Sequence, residues 1–220
     1  MNDFWTVVRW LRRGKSLGRT LQNLAFSEIC LSGTILDVGG GGKKRFPSYR
    51  LFMQTTPDCQ WTVADYDRGL QPDLCFDANR NWPVQSQSFD RVLLINCVNL
   101  FPEPQFVMHE AARVLRSGGK LIAGVIMITH EVPEPGDYFR CTSQGGRLLA
   151  EQAGLTVEAL LPYSGRIGCL VDLIRPYLRK LCLFLPAALF AYWLDPVLEK
   201  HVAFERRHPL HSGYIVIAHK

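Results

Sequence analysis

Thr34-Ile35-Leu36-Asp37-Val38-Gly39-Gly40-Gly41-Gly42 reads as a short buried strand running straight into a glycine turn. Ile35, Leu36 and Val38 are β-formers, and Gly33 marks the start of the strand. Four glycines in succession permit positive φ angles and a backbone approach that any Cβ would block. At the carboxyl end of a central parallel strand, such a turn is where nucleotide-like ligands bind in doubly wound sheets. Two familiar glycine motifs fail here. The dinucleotide fingerprint needs glycine at its sixth position, which counted from Gly39 is Lys44. The phosphate loop needs glycine five residues before Gly-Lys-Ser/Thr, where this chain has Asp37, and Lys44 follows Lys43.

Further strands follow, three of them carrying a polar side chain at the same end. Gln60-Trp61-Thr62-Val63-Ala64-Asp65 predicts a second strand ending in a carboxylate able to accept both hydroxyls of a ribose. Asp73 to Ala78 predicts a third, with Asp77 at its tip placed to accept a hydrogen bond from an adenine amino group. Ser88 to Asn96 is nearly continuous in apolar residues, as a strand buried on both faces should be. Val107, Ala111 and Val114 recur at i, i+4, i+7, predicting a helix from Pro104 to Arg116. Ser117-Gly118-Gly119 stops it, and Lys120 to Ile128 reads as a fifth strand.

At this point the chain resembles class I S-adenosylmethionine (SAM)-dependent methyltransferases, in particular the type 11 group. The residues that carry the resemblance are Ile35-Leu36-Asp37-Val38-Gly39-Gly40-Gly41, an Asp/Glu-x-Gly-x-Gly turn, and Ser88-Phe89-Asp90-Arg91-Val92-Leu93. Glu110-Ala111-Ala112-Arg113-Val114-Leu115-Arg116-Ser117-Gly118-Gly119 is similar to the group's E-x-x-R-V-L-x-P-G-G, with Ser117 for proline. Asp137-Tyr138-Phe139-Arg140-Cys141-Thr142 is similar to a D-Y-F-R-Y-T segment of a bacterial subgroup associated with envelope saccharides and lipids. The resemblance covers about residues 31–162 and implies an α/β fold: a doubly wound, mostly parallel, seven-stranded sheet. It implies S-adenosyl-L-methionine as cofactor, with Asp37, Gly39, Gly40, Gly41, Asp65, Asp77, Ala78 and Asn96 around it. Asp37 would order the turn and reach the methionine amino group.

Two departures matter. Lys43 stands where the group has its third glycine, which sets a cation beside the cofactor's carboxylate. Cys97-Val98-Asn99-Leu100-Phe101 replaces the group's E-V-L-E-H and removes its acid and histidine. A methyltransferase acting on a small-molecule, saccharide or lipid-linked acceptor is the first expectation. A methyltransferase-like scaffold that binds the cofactor without catalysis, with peripheral membrane contact as one option, is the alternative.

Composition narrows the class. A chain of 220 residues, 47% hydrophobic and 20% charged, suits one globular domain able to bury its own core. Seven cysteines without a C-x-x-C pair point to buried free thiols in a reducing, cytoplasmic setting and away from zinc. Arg9, Arg12 and Arg13 interrupt any signal-peptide core. The net charge of +5 sits wholly on the appendages, residues 1–20 with five cations and one acid and residues 166–207 with seven cations and four acids, which leaves the rest slightly negative. The neutral core argues against nucleic acid as partner, since no basic stripe is interleaved with aromatics.

Residues 1–30 form a basic, amphipathic helical segment ahead of a domain spanning 31–220. The sixth strand is read at Leu155–Pro162 and the last, antiparallel one at Gly213–Ala218, with a helical insertion, 164–211, between them. Two helices are expected there, the second opened by Pro186. The apolar run Leu181–Leu194 is too short to span a bilayer. Packed cap, peripheral membrane contact through 1–20 and 166–200, and dimer interface are its three readings. His130, just past the fifth strand, is the candidate general base. Tyr138 and Arg140 are candidates for the acceptor, Arg140 with Asp137 as its alternative partner.

Overall fold

The structure, a computed structural model, describes residues 3–180 and 182–220. Seven strands form the main sheet: β1 (Thr34–Val38), β2 (Gln60–Asp65), β3 (Leu74–Cys75), β4 (Phe89–Ile95), β5 (Leu115–Ile126), β6 (Thr156–Tyr163) and β7 (Gly213–His219). Their order is β3-β2-β1-β4-β5-β7-β6. All neighbours pair in parallel except β7, which runs antiparallel to both β5 and β6. The order reverses beside β1 and β4, so their carboxyl ends open a crevice at the switch point.

Two strands differ from the sequence reading. β5 begins at Leu115, not Lys120, because Leu115 pairs with Phe89 before the ladder shifts register and resumes at Arg91 and Lys120. Ser117-Gly118-Gly119 bulges within the strand, with Gly118 at φ 74°. β3 keeps only Leu74 and Cys75 in the ladder, since Asp77 turns the chain by accepting from the Asn79 N–H at 2.9 Å.

Helices α1 (Asp3–Arg12), α2 (Leu17–Phe26), α3 (Pro104–Val114) and α4 (Ser143–Gln152) accompany the sheet. Leu36, Val92, Leu94, Met108, Leu121 and Val216 belong to one core cluster, with α3 and α4. Ile35, Leu93, Ile122 and Ile215, their alternates along the strands, meet Phe26 and Tyr49 on the other face. Glu110 and Arg113 of the E-x-x-R segment pair with each other at 2.7 Å. Glu110 also accepts from the Trp82 N–H, and Arg113 donates to Val84 O and Trp82 O, so the motif ties α3 to the chain entering β4. Three of the seven free cysteines are buried, Cys97, Cys141 and Cys169, whereas Cys30, Cys75 and Cys182 are exposed.

The insertion holds four helices where two are expected: α5 (Arg166–Leu173), α6 (Arg175–Lys180), α7 (Phe184–His201) and α8 (Ala203–Arg207). Pro186 lies in the first turn of α7, where its missing N–H costs nothing. Asp195 of α7 accepts from Ile167 N and Gly168 N, each at 2.8 Å, and so caps α5. Val7 and Leu11 of α1, Leu17 of α2, Val171 of α5, and Phe184, Ala188 and Ala191 of α7 form a separate core. Full burial of each larger side chain contributes about 1.5–3 kcal/mol. No helix among the described residues is long and apolar enough to cross a membrane.

Candidate functional site

The glycine turn leaves β1 with Gly39 at φ 72° and Gly41 at φ 77°. A Cβ on Gly40 would stand 2.6 Å from Arg50 Nη2 and Asp37 Oδ2, and one on Gly42 would stand 2.3 Å from Leu70 O. The Gly39 N–H donates to Ala64 O at 2.8 Å, and the Gly41 N–H donates to Asp65 Oδ2 at 3.0 Å. The turn is thereby bound to the end of β2.

Beneath it, Asp37 is wholly buried. Tyr49 donates its hydroxyl to both carboxylate oxygens, at 2.8 and 2.9 Å, and Arg50 donates through Nε at 2.7 Å and through Nη2. Burial pushes the Asp37 carboxyl up from its ordinary range, against the downward pull of Arg50 and Tyr49. Tyr49 and Arg50 come from the 3₁₀ turn Ser48–Leu51, which sits in the crossover from β1 to β2.

Over the turn opens a cleft of about 990 Å³. Gly39, Gly40, Asp65, Asp77, Ala78, Asn96 and Tyr138 all line it. Asp37 and Gly41 do not. The expectation that Asp37 reaches the methionine amino group is therefore corrected: its oxygens are spent on Tyr49 and Arg50, and it acts as the support of the turn. Arg140 is corrected likewise. Its guanidinium pairs bidentately with Asp137, holds that carboxyl down at about 2, and lines neither this cleft nor the next. Lys43 is exposed, its N–H donating to Gln71 O. The cations that do line the cleft are Lys15, Arg19 and Arg45.

A second cavity, about 540 Å³, adjoins the first. It holds His130, and its wall includes Gly14, Asp172, Arg175 and Tyr163. Lys15, Arg19 and Asn96 line both cavities. Asn96, at φ 57° past the end of β4, forms a reciprocal amide pair with Gln22 at 2.8 Å. With the pair turned so that its oxygen faces Arg19, Asn96 accepts from that guanidinium at 2.5 and 3.2 Å. Burial pushes the Arg19 pKa down, but a guanidinium stays charged.

Size and lining suit S-adenosyl-L-methionine. The cleft lies in the range of ligand pockets, carboxylates stand at the ends of β2 and β3, and a side chain on Gly40 or Gly42 would collide with the turn's neighbours. Sheet order, glycine turn and cleft together have the form of the class I methyltransferase fold.

Residues 36–123 match the family model described as "Methyltransferase domain", of the type 11 group. Those residues are less than half of the chain, and the domain they match implies S-adenosyl-L-methionine as cofactor. A 52-residue stretch is 44% identical to the arsenite methyltransferase of Mus musculus, covering 23% of this chain and 14% of that protein. Among solved structures, a protein of Bacillus halodurans C-125 named as a methyltransferase has TM-score 0.54 at 15% identity, covering 90% of this chain and 97% of that one. The Haemonchus contortus phosphoethanolamine N-methyltransferase 2, solved with S-adenosyl-L-methionine, has TM-score 0.56 at 16% identity over 90% of this chain and 52% of that one. The [4+2]-cyclase SpnF has TM-score 0.51 at 18% identity, over 90% and 78%. At such identities the likeness is one of fold alone.

Proposed function

We propose that the protein transfers a methyl group from S-adenosyl-L-methionine to an acceptor seated in the second cavity. The observation that carries this reading is the shared wall of Lys15, Arg19 and Asn96, through which the cofactor cleft meets a chamber holding His130. Asp65 would hold the ribose, Asp77 and Ala78 the adenine, and Gly39 to Gly41 would give the backbone room. S-adenosyl-L-methionine supplies an electrophilic methyl on a sulfonium. The chain supplies alignment, for which the order of magnitude is about 7–11 kcal/mol when reactants are held in line. His130 would take the proton of a hydroxyl or amine acceptor, and Tyr138 would close over the cleft.

The acceptor is a small molecule, a saccharide or a lipid-linked intermediate, met at the cytoplasmic face of a membrane. Support comes from the exposed side of α7, where Phe190, Trp193 and Val197 make an apolar stripe opposite its buried side. Tyr177 on α6 and Trp5 on α1 are exposed too, alongside Arg9, Arg12, Arg179 and Lys180. Aromatic and cationic side chains together suit peripheral contact with anionic lipid.

Incubation with labelled S-adenosyl-L-methionine and fractionated envelope extract tests the reading. Label should enter one extract component, and His130→Gln should slow that transfer by about 10²–10⁴-fold if the acceptor must lose a proton. The second reading, a binding scaffold without methyl transfer, draws on Cys97-Val98-Asn99-Leu100-Phe101, which offers neither acid nor histidine after β4. Cofactor binding with no labelled product in any fraction would favour it.

A further inference from the structure

The second cavity gathers more positive charge than the cofactor requires. Arg19, Lys15 and Arg175 line it together with His130. Its carboxylate, Asp172, is occupied: Oδ1 accepts from Leu17 N at 2.9 Å and Oδ2 from Gly18 N at 2.7 Å, so it serves as the cap of α2. Among the described residues no hydrogen bond or ion pair engages the Lys15 ammonium or the Arg175 guanidinium, which lies over the Phe184 ring with 5.6 Å to its centroid. S-adenosyl-L-methionine carries one carboxylate against an ammonium and a sulfonium, a net positive ligand. Asp172 offsets one of these charges through its attraction to Arg175, and the positive charge that remains beside a cationic cofactor favours entry of a further anion. The wall of Lys15, Arg19 and Arg175 fits a compact dianion, since guanidinium forks match the oxygens of a phosphate.

We propose that the second cavity binds the phosphate of a phosphate-bearing acceptor, with Arg175 and Lys15 as its specific contacts and Arg19 shared with the cofactor cleft. This assigns an acceptor class to the chamber described above and rests on the methyl-transfer reading for the word acceptor, but not for the anion site. The phosphate would neutralise the cations and leave the acceptor's nucleophile to face Asn96 and the cofactor cleft.

Calorimetric titration of the full chain with inorganic phosphate, sulfate and chloride at matched ionic strength tests the site. Phosphate should bind saturably and best. Arg175→Gln should weaken it about tenfold, a small share of a charge-assisted contact, while leaving S-adenosylhomocysteine affinity as it was. Asp65→Asn should do the reverse. The proposal is overturned if chloride competes equally, if Arg175→Gln leaves phosphate binding unchanged, or if it weakens S-adenosylhomocysteine as much as phosphate. Failure of the wild-type chain to bind S-adenosylhomocysteine, with Arg175-dependent phosphate binding intact, would sink the methyl-transfer reading and leave the anion site standing. Competition names the source: displacement by glycerol 3-phosphate indicates a free ester, and displacement only by phosphatidylcholine vesicles containing phosphatidic acid indicates a lipid head group. Displacement by neither overturns the proposal.

Discussion

Replacing Arg50 by leucine should expose how the glycine turn is held up. Arg50 gives Asp37 two of its hydrogen bonds and packs its guanidinium over the Trp61 ring, with 4.9 Å to the centroid. Leucine keeps much of that packing but leaves a fully buried carboxylate with Tyr49 as its remaining side-chain donor. Removing one partner of a buried pair costs about 3–5 kcal/mol. For a domain of this size that corresponds to a melting-temperature drop of roughly 6–20 °C. The loss should depend on pH. Burial already raises the Asp37 carboxyl, and Arg50 opposes the rise, so its removal raises the folded-state pKa further. A carboxyl with a raised folded-state pKa adds stability below its unfolded value and loses it as pH climbs through the folded value. The Arg50→Leu deficit should therefore be largest near about pH 7.5 and shrink toward about pH 5. Urea denaturation at both pH values measures it. A deficit under about 1 kcal/mol, or one equal at both pH values, would refute the buried-pair argument.

Asp65→Ala removes the acceptor of the Gly41 N–H as well as the proposed ribose contact, and calorimetry should show S-adenosylhomocysteine affinity falling by at least about tenfold. An unchanged affinity would take Asp65 out of the site. Asp195→Asn leaves one oxygen for two buried N–H donors at the start of α5, and denaturation should record a loss of about 1–2 kcal/mol. Arg140 holds Asp137 down at about 2, so its stabilisation is present above the ordinary aspartate pKa of about 4 and is lost as pH falls through the folded value. The stability gap between wild type and Asp137→Asn should accordingly close on acidification below about pH 4; a constant gap would mean the ion pair contributes nothing. Serine at Phe190, Trp193 and Val197 together should abolish flotation with anionic vesicles at low salt, and flotation equal to wild type would leave that stripe as an ordinary surface.

The strands of the cofactor half were legible because each is a largely apolar run with a polar residue at or beside its carboxyl end: Asp37 one before the end of β1, Asp65 closing β2, Asn96 just past β4. Buried parallel strands write their burial into continuous sequence. The supports of the site were not legible. Tyr49 and Arg50 reach Asp37 from a 3₁₀ turn with no periodic pattern, and Arg19 reaches the cleft from a helix whose sequence reads as a basic appendage. Lys43 sits at the right distance along the chain and the wrong place in space, because the turn carries it out to solvent. Arg140 found Asp137 because a partner three residues away, with a loop to fix, outcompetes a ligand site at a distance. The insertion showed its composition but not its helix count, since Pro186 and the break before Arg175 look alike in sequence.

β7 sets the timetable of folding. Residues 213–219 fill the gap between β5 and β6, pairing Lys120 with His219 on one side and Thr156 with the same residue on the other. During synthesis β5 and β6 leave the ribosome long before the strand that joins them, and the four helices of the insertion are made in between. Until then each offers an open edge to any other extended chain. Contacts so far apart in sequence close slowly, so those two edges stay open until β7 arrives.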